Sequence, residues 1–103
     1  MSLVKITKDN FEKEDKEAEN TVDVDFYADW CGPCKMQMPI VDQLSDELTD
    51  VKFCKINIDE QPELAAENGV MSIPTIMVVK KGNITYKEPG LMQKKELIDV
   101  INS

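Results

Sequence analysis

The sequence predicts an α/β fold, a mixed five-stranded sheet flanked by helices in the order β-α-β-α-β-α-β-β-α. Three observations predict it. Short runs rich in β-branched residues, such as VDVDF and TIMVVK, alternate with longer stretches whose apolar residues recur every three or four positions. Strands separated by helices pair in parallel through right-handed crossovers. The last two strand-like runs are separated only by Lys81-Gly82-Asn83, a turn that makes them an antiparallel hairpin at one side of the sheet.

Residues 3–6, LVKI, read as a short first strand, and Thr7 is a candidate N-cap for a charged helix reaching about Ala18. That helix has few apolar residues to bury, so it is expected to be the least anchored. After the Asn20 turn, residues 22–28 form the next strand, with Val22, Val24 and Phe26 on one face and Asp23, Asp25 and Tyr27 on the other. Asp23, nearer the strand's start, is expected to reach water more readily than Asp25. From Gly32 to about Leu48 the apolar residues Met38, Val41, Leu44 and Leu48 make a helical stripe, and Pro39 inside it predicts a kink rather than a break. VKFCKINI, residues 51–58, is the third strand. Pro62 early and Asn68-Gly69 late bracket a short helix. Thr75–Lys80 and residues 84–88 form the hairpin, and residues 93–102 close the chain as a helix with Leu97, Ile98 and Ile101 inward.

At 103 residues, without an internal repeat or a Pro/Gly/Ser-rich linker, residues 1–103 are expected to be a single domain. Twelve basic residues against twenty acidic ones give a net charge of −8, which argues against nucleic acid or an anionic membrane as partner. No run of eighteen apolar residues exists, and the opening MSLVKITKDNF lacks the apolar core of a secretory leader, so a cytosolic location is expected. Three cysteines are too few for a disulfide scaffold; in a reducing compartment they stay thiols unless one pair is built to cycle.

That pair is Cys31-Gly32-Pro33-Cys34, just past the carboxyl end of the strand holding Asp25, where sites gather in sheets with parallel strands. Cys31, at the edge of a helix N-terminus, faces unpaired backbone N–H groups that stabilise its thiolate, the nucleophilic form. Cys34 is one turn inward and close enough to bridge to Cys31. The pair can therefore take a substrate disulfide through a mixed disulfide, with Cys31 bonding first and Cys34 displacing the reduced product. A structural zinc site needs four ligands, and the chain has no histidine and only one further cysteine. Asp25 breaks the rule that buried strands avoid Asp, and such breaks tend to mark function. Desolvation would raise its pKa toward the range of a general base.

DFYADWCGPCK, followed by KINID, SIPT and a glycine near the final helix, resembles the thioredoxin family over essentially the whole chain. The resemblance implies the thioredoxin fold and a protein disulfide reductase using no bound metal or organic cofactor. It would carry electrons from a thioredoxin reductase to proteins with exposed disulfides, as a monomer. Position by position, it implies that Cys31 is the exposed nucleophile and Cys34 the buried resolving thiol. Asp25 would be the buried acid that moves the resolving cysteine's proton, and Lys55 the lysine near that acid. Ile73-Pro74 would be a cis-proline loop whose Ile73 backbone pairs with an extended substrate segment. Trp30, Gly32, Pro33, Ile73, Pro74, Gly90 and Leu91 would form a flat, mostly apolar docking patch.

The sequence departs from the family pattern at Tyr27, Asp23, Ser72 and Glu88-Pro89, changes that bear on partner preference more than on the reaction. Cys54 alternates with Lys55 and is expected on the opposite face as a buried hydrophobe. Two other functions stand beside the reductase. An oxidase or isomerase is disfavoured by Gly-Pro between the cysteines, and a scaffold with incidental cysteines is disfavoured by the presence of Asp25, Lys55 and Pro74.

Overall fold

The computed structural model describes residues 3–16 and 19–103. Five strands, β1 (Leu3–Lys5), β2 (Thr21–Tyr27), β3 (Val51–Asn57), β4 (Thr75–Lys80) and β5 (Asn83–Pro89), form one sheet in the order β1-β3-β2-β4-β5. Three α-helices pack on it: α1 (Gly32–Glu47), α2 (Pro62–Glu67) and α3 (Lys94–Asn102). The α/β class is observed, and so is the expected element order except that a π-helical segment, Glu12–Lys16, stands in the place of the first helix.

β2 is central, parallel to β3 on one side and antiparallel to β4 on the other. A parallel pairing was expected wherever a helix separates two strands, and β4 departs from it. The connection from β3 to β4, residues 58–74, holds only the short α2, and it brings the chain back into the sheet from the end at which it left. That reversal brings the start of β4 beside the end of β2, with Thr75 registered on Phe26.

The sheet's two faces follow the alternation of β2. Val22, Val24 and Phe26 join Cys54, Ile56, Met77 and Val79 under Phe11 and Leu64. The opposite face holds Phe53, Ile76 and Val78 under Val41 and Leu44 of α1 and Leu97 and Ile101 of α3. Cys54 is buried on the face away from Lys55, as its alternation implied. Edge strand β5 is mostly exposed and carries Lys87 and Glu88, charges that discourage a further strand from pairing there.

Local chemistry sets the element ends. Lys81 and Gly82 both have positive φ, 52° and 81°, the conformation a two-residue hairpin requires. α3 starts with a capping box, in which the Gln93 side chain accepts the Glu96 backbone N–H and Glu96 accepts that of Gln93. The helix expected to run to Ala18 is instead a π-helical segment, Glu12–Lys16, and Glu17 and Ala18 lie outside the described residues. The Thr7 N–H bonds Asn10 Oδ1 at 2.8 Å and the Asp9 N–H bonds Thr7 Oγ1 at 3.2 Å. That closed turn takes up the start of the segment, and Phe11 is its anchor in the core. α1 runs through Pro39, but its inward residues include Gln37, Val41, Leu44 and Ser45, while Met38 and Leu48 are only half-buried.

Candidate active site

Three segments meet at one end of the sheet. Cys31 follows the end of β2, Ile73-Pro74 precedes the start of β4, and Gly90 follows the end of β5, whose Pro89 is registered on Thr75. Cys31 is the N-cap of α1, in extended conformation, and the Cys34 backbone N–H donates to its Sγ at 3.2 Å. A cysteine thus occupies the position where Ser, Thr or Asp usually satisfies the first orphan N–H groups of a helix. The two cysteines are disulfide-bonded, with Cα atoms 5.2 Å apart.

Both sulfurs sit in a small apolar nest of Ala28, Tyr27, Ile58 and Ile73. Cys31 is 5% exposed and Cys34 2%, so the expected contrast between an exposed and a buried cysteine is narrow in the disulfide form. The Ile73 side of the nest explains this, since its carbonyl oxygen lies 3.8 Å from Cys31 Sγ. The Ile73–Pro74 peptide is cis. The Pro74 carbonyl accepts the Gly90 N–H at 2.8 Å, and Gly90 has φ +115°, a conformation that side-chain-bearing residues rarely adopt.

The seven residues of the expected docking patch are placed unevenly. Trp30 is 68% exposed, with its indole N–H held by Asp59 Oδ2 at 2.8 Å. Gly32, Pro33 and Gly90 are exposed, Ile73 and Leu91 are half-buried, and Pro74 is buried, so that it contributes backbone geometry more than surface. Sequence reasoning missed Asp59, which a Trp-to-acid bond across separate loops does not announce. It also passed over Met36 and Met71, which with Trp30 and Ile84 are the large exposed apolar side chains among the described residues. Met71 is 97% exposed two residues ahead of Ile73, a methionine in a loop that could have been flagged.

Asp25 is fully buried on β2, and neither carboxylate oxygen has a hydrogen-bond partner. Burial in an apolar surrounding raises its pKa well above the ordinary carboxylate range, and the nearby Asp23 carboxylate raises it further. Asp23 was expected to be the wetter of the two. It is instead fully buried and unpartnered, and desolvation pushes it up to about 8. Nearness to the strand's start gives no access to water here, because β2 is flanked on both sides at that point by Phe53 and Val78.

Lys55 is registered on Asp25 across the β2–β3 pair, and its Nζ lies 5.9 Å from the centre of the Tyr27 ring. It lines a cleft of about 260 Å³ together with Tyr27, Ala28, Asp29, Cys34, Lys35 and Met38. The lysine and the inner cysteine therefore share one solvent-facing depression. Among the described residues no helix is long and apolar enough to cross a membrane.

The sequence model of the Thioredoxin family matches residues 2–103. The chain is 52% identical over 98 residues to a thioredoxin of Rickettsia typhi, covering 94% of this chain and 93% of that one. It is 42% identical over 103 residues to a thioredoxin of Bacillus subtilis, covering 99% and 97%. A thioredoxin of Allochromatium vinosum is 39% identical, covering 99% and 96%. With a C-x-x-C disulfide capping the helix that follows the central strand, the chain belongs to the thioredoxin family of thiol–disulfide oxidoreductases.

Proposed function

We propose that the protein is a monomeric, single-domain protein disulfide reductase of the cytoplasm, recharged by a thioredoxin reductase, with Cys31 as nucleophile and Cys34 as resolving thiol. The observation that carries this reading is the position of Cys31 Sγ. It caps α1, accepts the Cys34 N–H and lies against the Ile73 carbonyl, so in the dithiol form a negative sulfur there meets helix N–H groups.

The Cys31 thiolate attacks one sulfur of a substrate disulfide. The substrate S–S bond breaks, one substrate thiolate leaves and takes a proton, and Cys31 is joined to the other sulfur. Cys34 then gives its proton to the Asp25 carboxylate and attacks Cys31 Sγ. The mixed disulfide breaks, the second substrate thiolate leaves, and the Cys31–Cys34 disulfide forms, so two electrons have passed to the substrate. A thioredoxin reductase returns two electrons and two protons. Lys55, at the cleft it shares with Cys34, offsets part of the charge when Asp25 ionises. Trp30, Gly32, Pro33, Ile73, Pro74, Gly90 and Leu91 receive the substrate segment, with the Ile73 backbone pairing to it as an added strand would. No metal or organic cofactor takes part, and the acidic surface leaves nucleic acid and anionic membranes aside.

The test is to trap the intermediate. Cys34→Ser mixed with a protein disulfide should accumulate an adduct through Cys31 that dithiothreitol reverses, and Cys31→Ser should form none. An adduct through Cys34 in the Cys31→Ser protein, with none in Cys34→Ser, would reverse the assigned order.

A further inference from the structure

Gln37 lies one turn beyond Cys34 on α1 and is fully buried. Its Nε2 donates to the Met92 carbonyl at 3.0 Å, and its Oε1 accepts the Met92 N–H at 2.7 Å. One side chain thereby supplies the pair of hydrogen bonds that a neighbouring strand would give a backbone residue. The opposite amide orientation would set donor against donor and acceptor against acceptor, so the two bonds fix it.

The segment so held, residues 90–92, connects β5 to α3. At one end the Gly90 N–H is bonded to the Pro74 carbonyl, and at the other Met92 packs among Val41, Leu44 and Leu97. Leu91, half-buried, is carried between these two fixed points. The turn of α1 that follows the cysteines is thus tied directly to the loop that borders them.

We infer that Gln37 is a positioning residue for protein substrates: its two-bond clasp on Met92 holds Gly90 and Leu91 as the rim on which a folded partner rests, and it takes no part in the sulfur chemistry. The inference depends on the docking reading given above. Without the amide, the buried N–H and C=O of Met92 lose their partners, and the rim must shift to regain them. A protein disulfide that lies across the rim then binds less well. A small disulfide, which needs only the Cys31 sulfur, does not register the change.

The experiment measures reduction of insulin, with dithiothreitol as recharging reductant, and of an aromatic nitrobenzoate disulfide by the pre-reduced protein freed of dithiothreitol, for wild type, Gln37→Leu, Gln37→Met and Leu91→Ala. Gln37→Leu should raise KM for insulin about fivefold, the effect of losing one or two modest hydrogen bonds, with kcat unchanged. The rate with the small disulfide and the potential of the cysteine couple should not move. Gln37→Met, unbranched and of similar length, should repeat the result and decides the matter if the leucine variant fails to fold. Equal losses on both substrates, or a shifted potential, would mean that Gln37 acts through the cysteine helix and would overturn the inference, as would an unchanged insulin KM. Leu91→Ala separates the two levels: a raised insulin KM there with Gln37 silent removes the clasp alone. An insulin KM indifferent to Leu91→Ala removes the docking rim, and the clasp with it.

Discussion

Asp23 and Asp25 stand two residues apart on one face of one strand, both fully buried and both with unpartnered carboxylate oxygens, yet in different company. Asp23 is flanked across the sheet by Phe53 and Val78, in the apolar layer roofed by Val41, Leu44, Leu97 and Ile101. Asp25 is flanked by Ile76 and by Lys55, which shares a cleft with Cys34. Burial has raised both pKa values, so a raised pKa alone does not identify a catalytic acid. Their neighbours separate them: Asp25 lies beside Lys55, which lines one cleft with Cys34, whereas Asp23 lies between Phe53 and Val78.

The largest expected effect is on stability. Both carboxyls are ordinary in the unfolded chain and raised in the folded one, so the folded state holds extra protons between the ordinary carboxylate range and, for Asp23, about 8. Stability from these groups is therefore complete below the ordinary range and is lost as pH rises through that window. At pH 7 the loss at Asp23 is on the order of 4 kcal/mol, from about three pKa units at 1.4 kcal/mol each. Asp23→Val, which matches its apolar neighbours, should stabilise the protein by that order at neutral pH and by much less near about pH 4. Urea unfolding across the range checks both. Equal stabilisation at both pH values would mean that packing, and not charge burial, sets the effect.

Next in size is the effect on the reaction. Asp25→Asn should slow release of product from the mixed disulfide by about a hundredfold, the lower end for loss of a general base, whereas Asp23→Val should keep the full plateau rate and, by removing the carboxylate that raises Asp25, move the pH profile of that step to lower pH. Single-turnover release of a labelled substrate thiol measures it. Similar slowing in both variants would erase the distinction between the two acids. In wild type the proposed mechanism, in which the Asp25 carboxylate accepts the Cys34 proton, makes the release rate rise with pH as Asp25 loses its proton.

The smallest effect is expected at Lys55. Removing its ammonium in Lys55→Met makes the Asp25 carboxylate harder to form, so the pH profile of product release should move modestly to higher pH without loss of the plateau. A lower plateau with an unmoved midpoint would give Lys55 a role other than charge compensation.

The strands, the α-helices and the cysteine site were legible because each rests on a local pattern: alternation in β2, three-four spacing in α1, Pro early and Gly late around α2. What was not legible depends on tertiary neighbours. Asp23 looked peripheral because a strand's start says nothing about whether strands lie on both sides of it. Gln37 was hidden by its own polarity, since the apolar stripe drew attention to Met38 while the inward position belonged to a side chain bonded to Met92. The direction of β4 depended on the end of the sheet to which the connection after β3 returns, and the Trp30–Asp59 bond on two loops meeting.

The most direct test of the central claim is the equilibrium redox potential of the Cys31–Cys34 couple, followed by Trp30 fluorescence in defined dithiothreitol buffers. A reductase requires a strongly reducing value, near the benchmark of about −270 mV for thioredoxin. A value above about −200 mV, within or beyond the range of disulfide isomerases and oxidants, would contradict the account.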